Sequence, residues 1–211
     1  MDKKKINADE FVAKFMDGSL DHLIHIQTAV KIFRLRDIAP YLRIPIPPIF
    51  LGYNLMIHLT EGYFQQQIES TNFRVQAPAM LICNYGNISA ISAVDRNAEG
   101  YCVLIKENAM ASLFREQEIL NIFTIAPLLN LDQVDSLEFS ALLDVLYREI
   151  YAENPYQTYY ESILKTVVLK IIKLSNGNKN LARAQEVAIG FKQLVHLHFK
   201  KHKTVLIFKT P

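Results

Sequence analysis

No apolar run among the 211 residues approaches the roughly 18 that a membrane-spanning helix needs. The opening residues, MDKKKINADEF, lack the apolar centre of a signal peptide. Cysteine is scarce: Cys83 and Cys102 are too few for a disulfide framework and are not at metal-binding spacing. Both lie in apolar, strand-like runs, where an inert buried thiol is the ordinary case. The seven glycines are scattered, which leaves no Gly-x-Gly-x-x-Gly turn and no Walker-type phosphate cradle. A Gly-x-Ser-x-Gly nucleophile elbow is absent, and neither cysteine has a histidine at motif spacing. Of the six histidines, only His58 falls in a strand-like run, and His196 and His198 lie two apart on an expected helix, pointing in different directions. Together these absences give a cytoplasmic protein with reduced thiols, no bound metal or cofactor, no catalytic residues and no enzymatic activity.

Charge of one sign is lacking overall as well. The net charge is +2, so no global field marks a nucleic-acid or membrane protein. The basic excess is local: Lys3, Lys4 and Lys5 at one end, and Lys192, Lys200, Lys201, Lys203 and Lys209 at the other, with no acid after Glu186. The plain reading of such a run is a solvated helix end. Half of the residues are apolar and 21% are charged, a composition that builds a globular core.

What is present falls into two halves. Up to about residue 107 the chain shows short apolar runs broken by turn-prone residues. In YNLMIHLT (53–60), Leu55, Ile57 and Leu59 fall on one face and Asn54, His58 and Thr60 on the other, the period of a half-buried strand. Glu61-Gly62 then predicts a hairpin turn into YFQQQIES, where Phe64, Gln66 and Ile68 share a face. TNFRVQ, AMLICN, NISAISAV and YCVLIKE read as further strands, and TAVKIFRL as an earlier one. Pro40, Pro45, Pro47 and Pro48 exclude a helix and imply an edge or connecting segment.

Beyond residue 107 the period changes. A short helix is expected over 108–122. Asp135 and Glu138 form a capping-box pattern ahead of Phe139, Leu142, Leu143, Leu146 and Ile150 at helical spacing. Asn154-Pro155 predicts the start of a second long helix, carrying Ile163, Leu164, Val167, Val168, Ile171 and Ile172 and closing at SNGN (175–178). A last helix is expected from about Leu181 to Lys201.

The fold class is therefore α+β, a β-barrel followed by a helical region. The expected divisions are an N-terminal arm (1–20), the barrel (21–107), the helical linker and dimerisation region (108–203) and a tail (204–211). The apolar stripe exceeds what one small barrel covers, so the helices pack on one another or on a second copy. Leu142, Leu146, Ile163, Val167 and Ile171 are the candidate dimer contacts. A barrel can also take a small molecule in its mouth. The candidate polar handles are Arg34, Arg36, Tyr53, His58, Tyr63 and Tyr85.

Three stretches in order carry a family resemblance: residues 53–86, with Gly62 and a strand opening at Pro78; residues 126–174, with the acidic REIYAEN between helices; and EVAIGFKQLVHLHFKKHKTV (186–205). They resemble the cupin-like sensor barrel, the linker helices and the pre-DNA-binding segment of AraC-type transcription regulators. The resemblance implies a cytoplasmic ligand sensor that forms a homodimer through its post-barrel helices. Arg34 and Arg36 are the loose analogues of the family's ligand-contacting arginine, and the cupin metal ligands are missing. Family members continue into two helix-turn-helix motifs, whereas this sequence ends at LIFKTP. DNA contact is therefore expected only through a domain that the sequence lacks. The alternative from another class is a stand-alone cupin-type binding protein or enzyme.

Overall fold

The computed structural model describes residues 5–17, 28–114, 122 and 125–177. The expected helix over 181–201, the tail, most of the lysine clusters and five of the six histidines lie outside the described residues.

The chain first forms helix α1 (Ala8–Phe15), started by a reciprocal cap: Asn7 Oδ1 accepts from the Glu10 N–H at 2.9 Å, and Glu10 Oε2 accepts from the Asn7 N–H at 3.1 Å. Strand β1 (Val30–Arg34) follows, then the single helical turn α2 (Leu35–Ile38) and a 3₁₀ turn (Ala39–Tyr41). Pro40 sits in that turn, whose first residues need no N–H donor, so this proline does not prevent helical structure. Seven strands come next: β2 (Ile46–Phe50), β3 (Asn54–Glu61), β4 (Tyr63–Ile68), β5 (Thr71–Gln76), β6 (Ala79–Cys83), β7 (Ile88–Val94) and β8 (Glu99–Ile105). The remaining elements are α3 (Glu107–Leu113), the short β9 (Leu128–Asn130), α4 (Gln133–Ile150) and α5 (Gln157–Gly177).

The described strands make two antiparallel sheets rather than one closed barrel: five strands in the order β1-β8-β3-β6-β9 and four in the order β2-β7-β4-β5. From β1 to β8 the chain changes sheet at every connection except β4–β5, the one hairpin in that run. The hairpin expected at Glu61-Gly62 is instead a corner: β3 pairs with β6 and β8, and β4 pairs with β5 and β7. A turn-prone dipeptide marks a change of direction but does not say which strand the next one will pair with. Gly62 makes the corner with φ +86°, beside the Asp95 side chain. Gly62→Ala is expected to cost about 1–2 kcal/mol, the penalty for a Cβ in the left-handed region; an unchanged urea midpoint would remove this account of the corner.

The five-stranded sheet is buried on both faces. Leu55, Ile57 and Leu59 of β3, with Leu81, Cys83, Cys102 and Leu104, face the second sheet. Met56, Met80, Ile82, Val103 and Ile105 face the helices. Hence β3 has five consecutive buried residues, where alternation had implied a wet face. Helices α4 and α5 cover that outer face, with Phe139, Leu143, Leu146, Leu164 and Val167 in one core with the strands. The α4 cap is Asp132, whose carboxylate accepts from the Asp135 N–H at 2.7 Å. Asp135 and Glu138 are committed elsewhere, both to the Lys170 ammonium on α5. Tyr156 precedes α5 and donates its N–H to Glu149 Oε1 at 2.7 Å, so this helix begins beyond Asn154-Pro155.

Candidate functional site: an apolar cavity between the sheets

The inner faces of the two sheets do not meet completely. Between them lies a cavity of about 80 Å³. Phe33, Leu55, Ile57, Cys102 and Leu104 contribute from the five-stranded sheet, and Ile46, Ile49, Phe64, Gln66, Ser89 and Ile91 from the four-stranded one. Helix α1 supplies Phe11 and Val12, and Met16 follows directly at its end. That helix is tied down by backbone pairing at both ends, Ile6 with Leu51 and Met16 with Leu42, and by the Lys31 ammonium, 2.5 Å from Asp9 Oδ1. Its two phenylalanine rings lie tilted against each other at 5.4 Å, and Phe11 meets the Tyr53 ring edge-on at 6.4 Å.

Two polar side chains stand in this lining. Gln66 is 1% exposed and donates from Nε2 to Ser89 Oγ at 2.7 Å, with Cys83 Sγ at 3.4 Å. Its carbonyl Oε1 is buried and has no hydrogen-bond partner among the described residues. Tyr53 and Cys102 add a phenol and a thiol. Burial pushes both toward the neutral form, the Tyr53 phenol well above its usual range and the Cys102 thiol up to about 12. Among the described residues, no Lys, Arg, His, Asp or Glu lines the cavity. Its chemistry is therefore that of a neutral apolar binding space with a small polar corner.

Of the expected handles, Tyr53 lines this space and the others lie elsewhere. His58 points to the opposite face of its sheet, where its Nε2 is 3.2 Å from Ser136 Oγ and its ring 5.9 Å from Phe139. Arg34 sits on that outer face too, 4.4 Å over the Tyr147 ring and 3.6 Å from Asp144. Arg36 pairs with Glu99 at 3.7 Å. Tyr63 is exposed, and Tyr85 lies under the Lys5 ammonium at 3.9 Å. Gln66 and Ser89 were missed. The sequence placed Gln66 on one face with Phe64 and Ile68, but not which way that face points. Of the expected dimer contacts, Leu146, Ile163, Val167 and Ile171 are buried within the single chain and Leu142 partly so, all packed in the core between helices and sheet.

Among the described residues no group of three or more His, Cys, Asp or Glu is placed to hold a metal ion, and no helix is long and apolar enough to cross a membrane. No family model matches the chain, and no curated protein does. Among solved structures it is similar to an apo ToxT variant from Vibrio cholerae, at 11% identity and a TM-score of 0.44 over 85% of this chain and 78% of that one. It is similar to Vibrio cholerae ToxT bound to (E)-4-(8-methylnaphthalen-1-yl)but-3-enoic acid, at 13% identity and a TM-score of 0.42 over 78% and 68%. A third likeness is to the AraC-like transcriptional activator CuxR, at 10% identity and a TM-score of 0.40 over 84% and 60%. Likenesses this distant carry no conclusion about the fold or the function.

Proposed function

We propose that this chain is the effector-binding and dimerisation region of an AraC-like transcription regulator, working in the cytoplasm as a binding protein and not as an enzyme. The observation that carries the effector role is the apolar cavity between the sheets, with the Gln66–Ser89 pair set in it. A two-sheet sandwich is also the form that cupin-type folds take, and the order of sandwich and then helices agrees with the resemblance in residues 53–86 and 126–174. The test is thermal: an effector at about 100 times its dissociation constant stabilises the folded chain by roughly 2.7 kcal/mol. Ile91→Phe, which fills the cavity from a half-buried position, is expected to abolish that stabilisation while the chain stays folded. If no metabolite in a broad panel raises the melting temperature of the parent chain, the effector role falls.

Association through the helices would use their outward faces. Val134 and Leu137 are 65% and 60% exposed one turn apart on α4, and Leu169 on α5 is 40% exposed. Leu137→Glu combined with Leu169→Glu is expected to convert a dimer mass to a monomer mass in light scattering. A parent chain already monomeric at tens of micromolar would remove the dimer.

A further inference from the structure

The buried amide of Gln66 needs a partner. An unpaired carbonyl in an apolar space costs free energy unless something else bonds to it. One end of the amide is satisfied by Ser89 Oγ at 2.7 Å, while Oε1 has no partner among the described residues. Ser89, 4% exposed, accepts that bond and keeps its own hydroxyl proton to give. An acceptor and a donor are thus left over on adjacent strands, β4 and β7, at the cavity lining. Turning the amide over exchanges the roles of its two ends but still leaves one of them empty.

A hydroxyl, which gives one hydrogen bond and accepts others, satisfies this corner whichever way the amide is turned. An ether accepts only. A carboxylate or an ammonium would be buried without a counter-ion, since no charged residue among those described lines the cavity. The volume sets the size: 80 Å³, at about 10–15 Å³ for each water-sized position, holds about five to eight heavy atoms.

We infer that the cavity binds an uncharged amphiphile whose hydroxyl sits between Gln66 and Ser89 and whose short hydrocarbon body lies against Phe64, Ile91 and Leu55. This rests on the effector-binding role proposed above and assigns the chemical class of the effector.

Three probes with equal numbers of heavy atoms test it by ligand-detected NMR titration: 1-hexanol, its isomer dipropyl ether, and pentanoate. The unmodified chain is expected to bind 1-hexanol about tenfold or more tighter than the ether, because the ether leaves the buried acceptor unpaired. Pentanoate is expected to bind more weakly than either. In Gln66→Met, which keeps the side-chain volume, the preference for 1-hexanol over the ether is expected to shrink to about twofold or less. The ranking on the unmodified chain decides the matter even if the variant does not fold. Equal binding of 1-hexanol and the ether there overturns the hydroxyl assignment and leaves the effector role standing. Tightest binding by pentanoate overturns it in favour of an anion. No binding by any of the three to the unmodified chain overturns the assignment, and the melting-temperature panel above then decides the effector role separately.

Discussion

Replacing Phe139 with alanine is expected to lower the unfolding free energy by about 3–5 kcal/mol, the range for removing a buried aromatic ring from a core. Phe139 is fully buried at the point where α4, α5 and the five-stranded sheet meet. Its ring lies 5.9 Å from the His58 ring below it and 5.3 Å from the Lys170 ammonium. Few neighbours can move into the space it leaves, since Leu143 and Leu146 already fill the next turns of the same face. A domain stable by 5–15 kcal/mol would lose a large fraction of that margin. The cavity lies across the sheet from Phe139, so at temperatures where the variant is still folded its affinity for a cavity ligand should change by less than about twofold, as expected of sites with no shared partners. Urea unfolding of parent and variant measures the first effect. A loss under about 1 kcal/mol would mean that α4 does not pack on the sheet as described.

The two faces of that sheet also explain how far the sequence could be read. The strand-like runs were legible because turn residues bound them, and all of them became strands; β2, read only as an edge or connecting segment, and β9 were not read as strands. Pairing was not legible. Nothing in Glu61-Gly62 says whether the chain turns back in the same sheet or crosses to the other, because that choice depends on β8, about forty residues later, which takes the place beside β3. The α4 cap was misplaced by three residues because Asp132 and Asp135 are both good cap residues, and the tertiary ion pairs with Lys170 drew Asp135 away. Helix α1 was within reach: Asn7 and Glu10 have the same capping-box spacing that was read at Asp135, followed by Phe11, Val12 and Phe15.

Of the expected handles, all but Tyr53 lie away from the cavity, for a related reason. Polar residues such as His58 and Arg34 attract attention in a list of handles, but a sheet covered on both sides has two insides. His58 and Arg34 face the helices, where their partners Ser136 and Asp144 lie more than seventy residues away in sequence. The informative residue was Gln66, a polar side chain on a face whose other members are Phe64 and Ile68. On an exposed strand the same spacing would place three exposed side chains and mean nothing, so Gln66 became informative only once β4 was known to turn that face toward the cavity.

His58 makes the last prediction, on acid stability. The imidazole is 1% exposed, accepts or donates one hydrogen bond with Ser136, and has no partner at Nδ1 among the described residues. Burial holds its pKa down at about 4 in place of the usual 6.5. Among the described residues no carboxylate lies at hydrogen-bond distance from it: the Phe139 ring lies tilted beside it, Tyr101 is opposite it on β8, and Asp135, next to Ser136 in sequence, is paired with Lys170. The unfolded chain takes up a proton near pH 6.5, while the folded chain resists until about pH 4. Stability from this residue is therefore fully present above pH 6.5 and is lost as the pH falls toward 4. At 1.36 kcal/mol per unit the loss amounts to roughly 3 kcal/mol. His58→Leu removes the titration but leaves the carboxylates and their own acid effects in place. The expected result is that the parent loses roughly 2–3 kcal/mol more than the variant between pH 7 and pH 4.5, from urea unfolding at both. Equal losses would show that the acid sensitivity belongs to the carboxylate pairs, and that His58 takes up its proton without disturbing the helices packed over it.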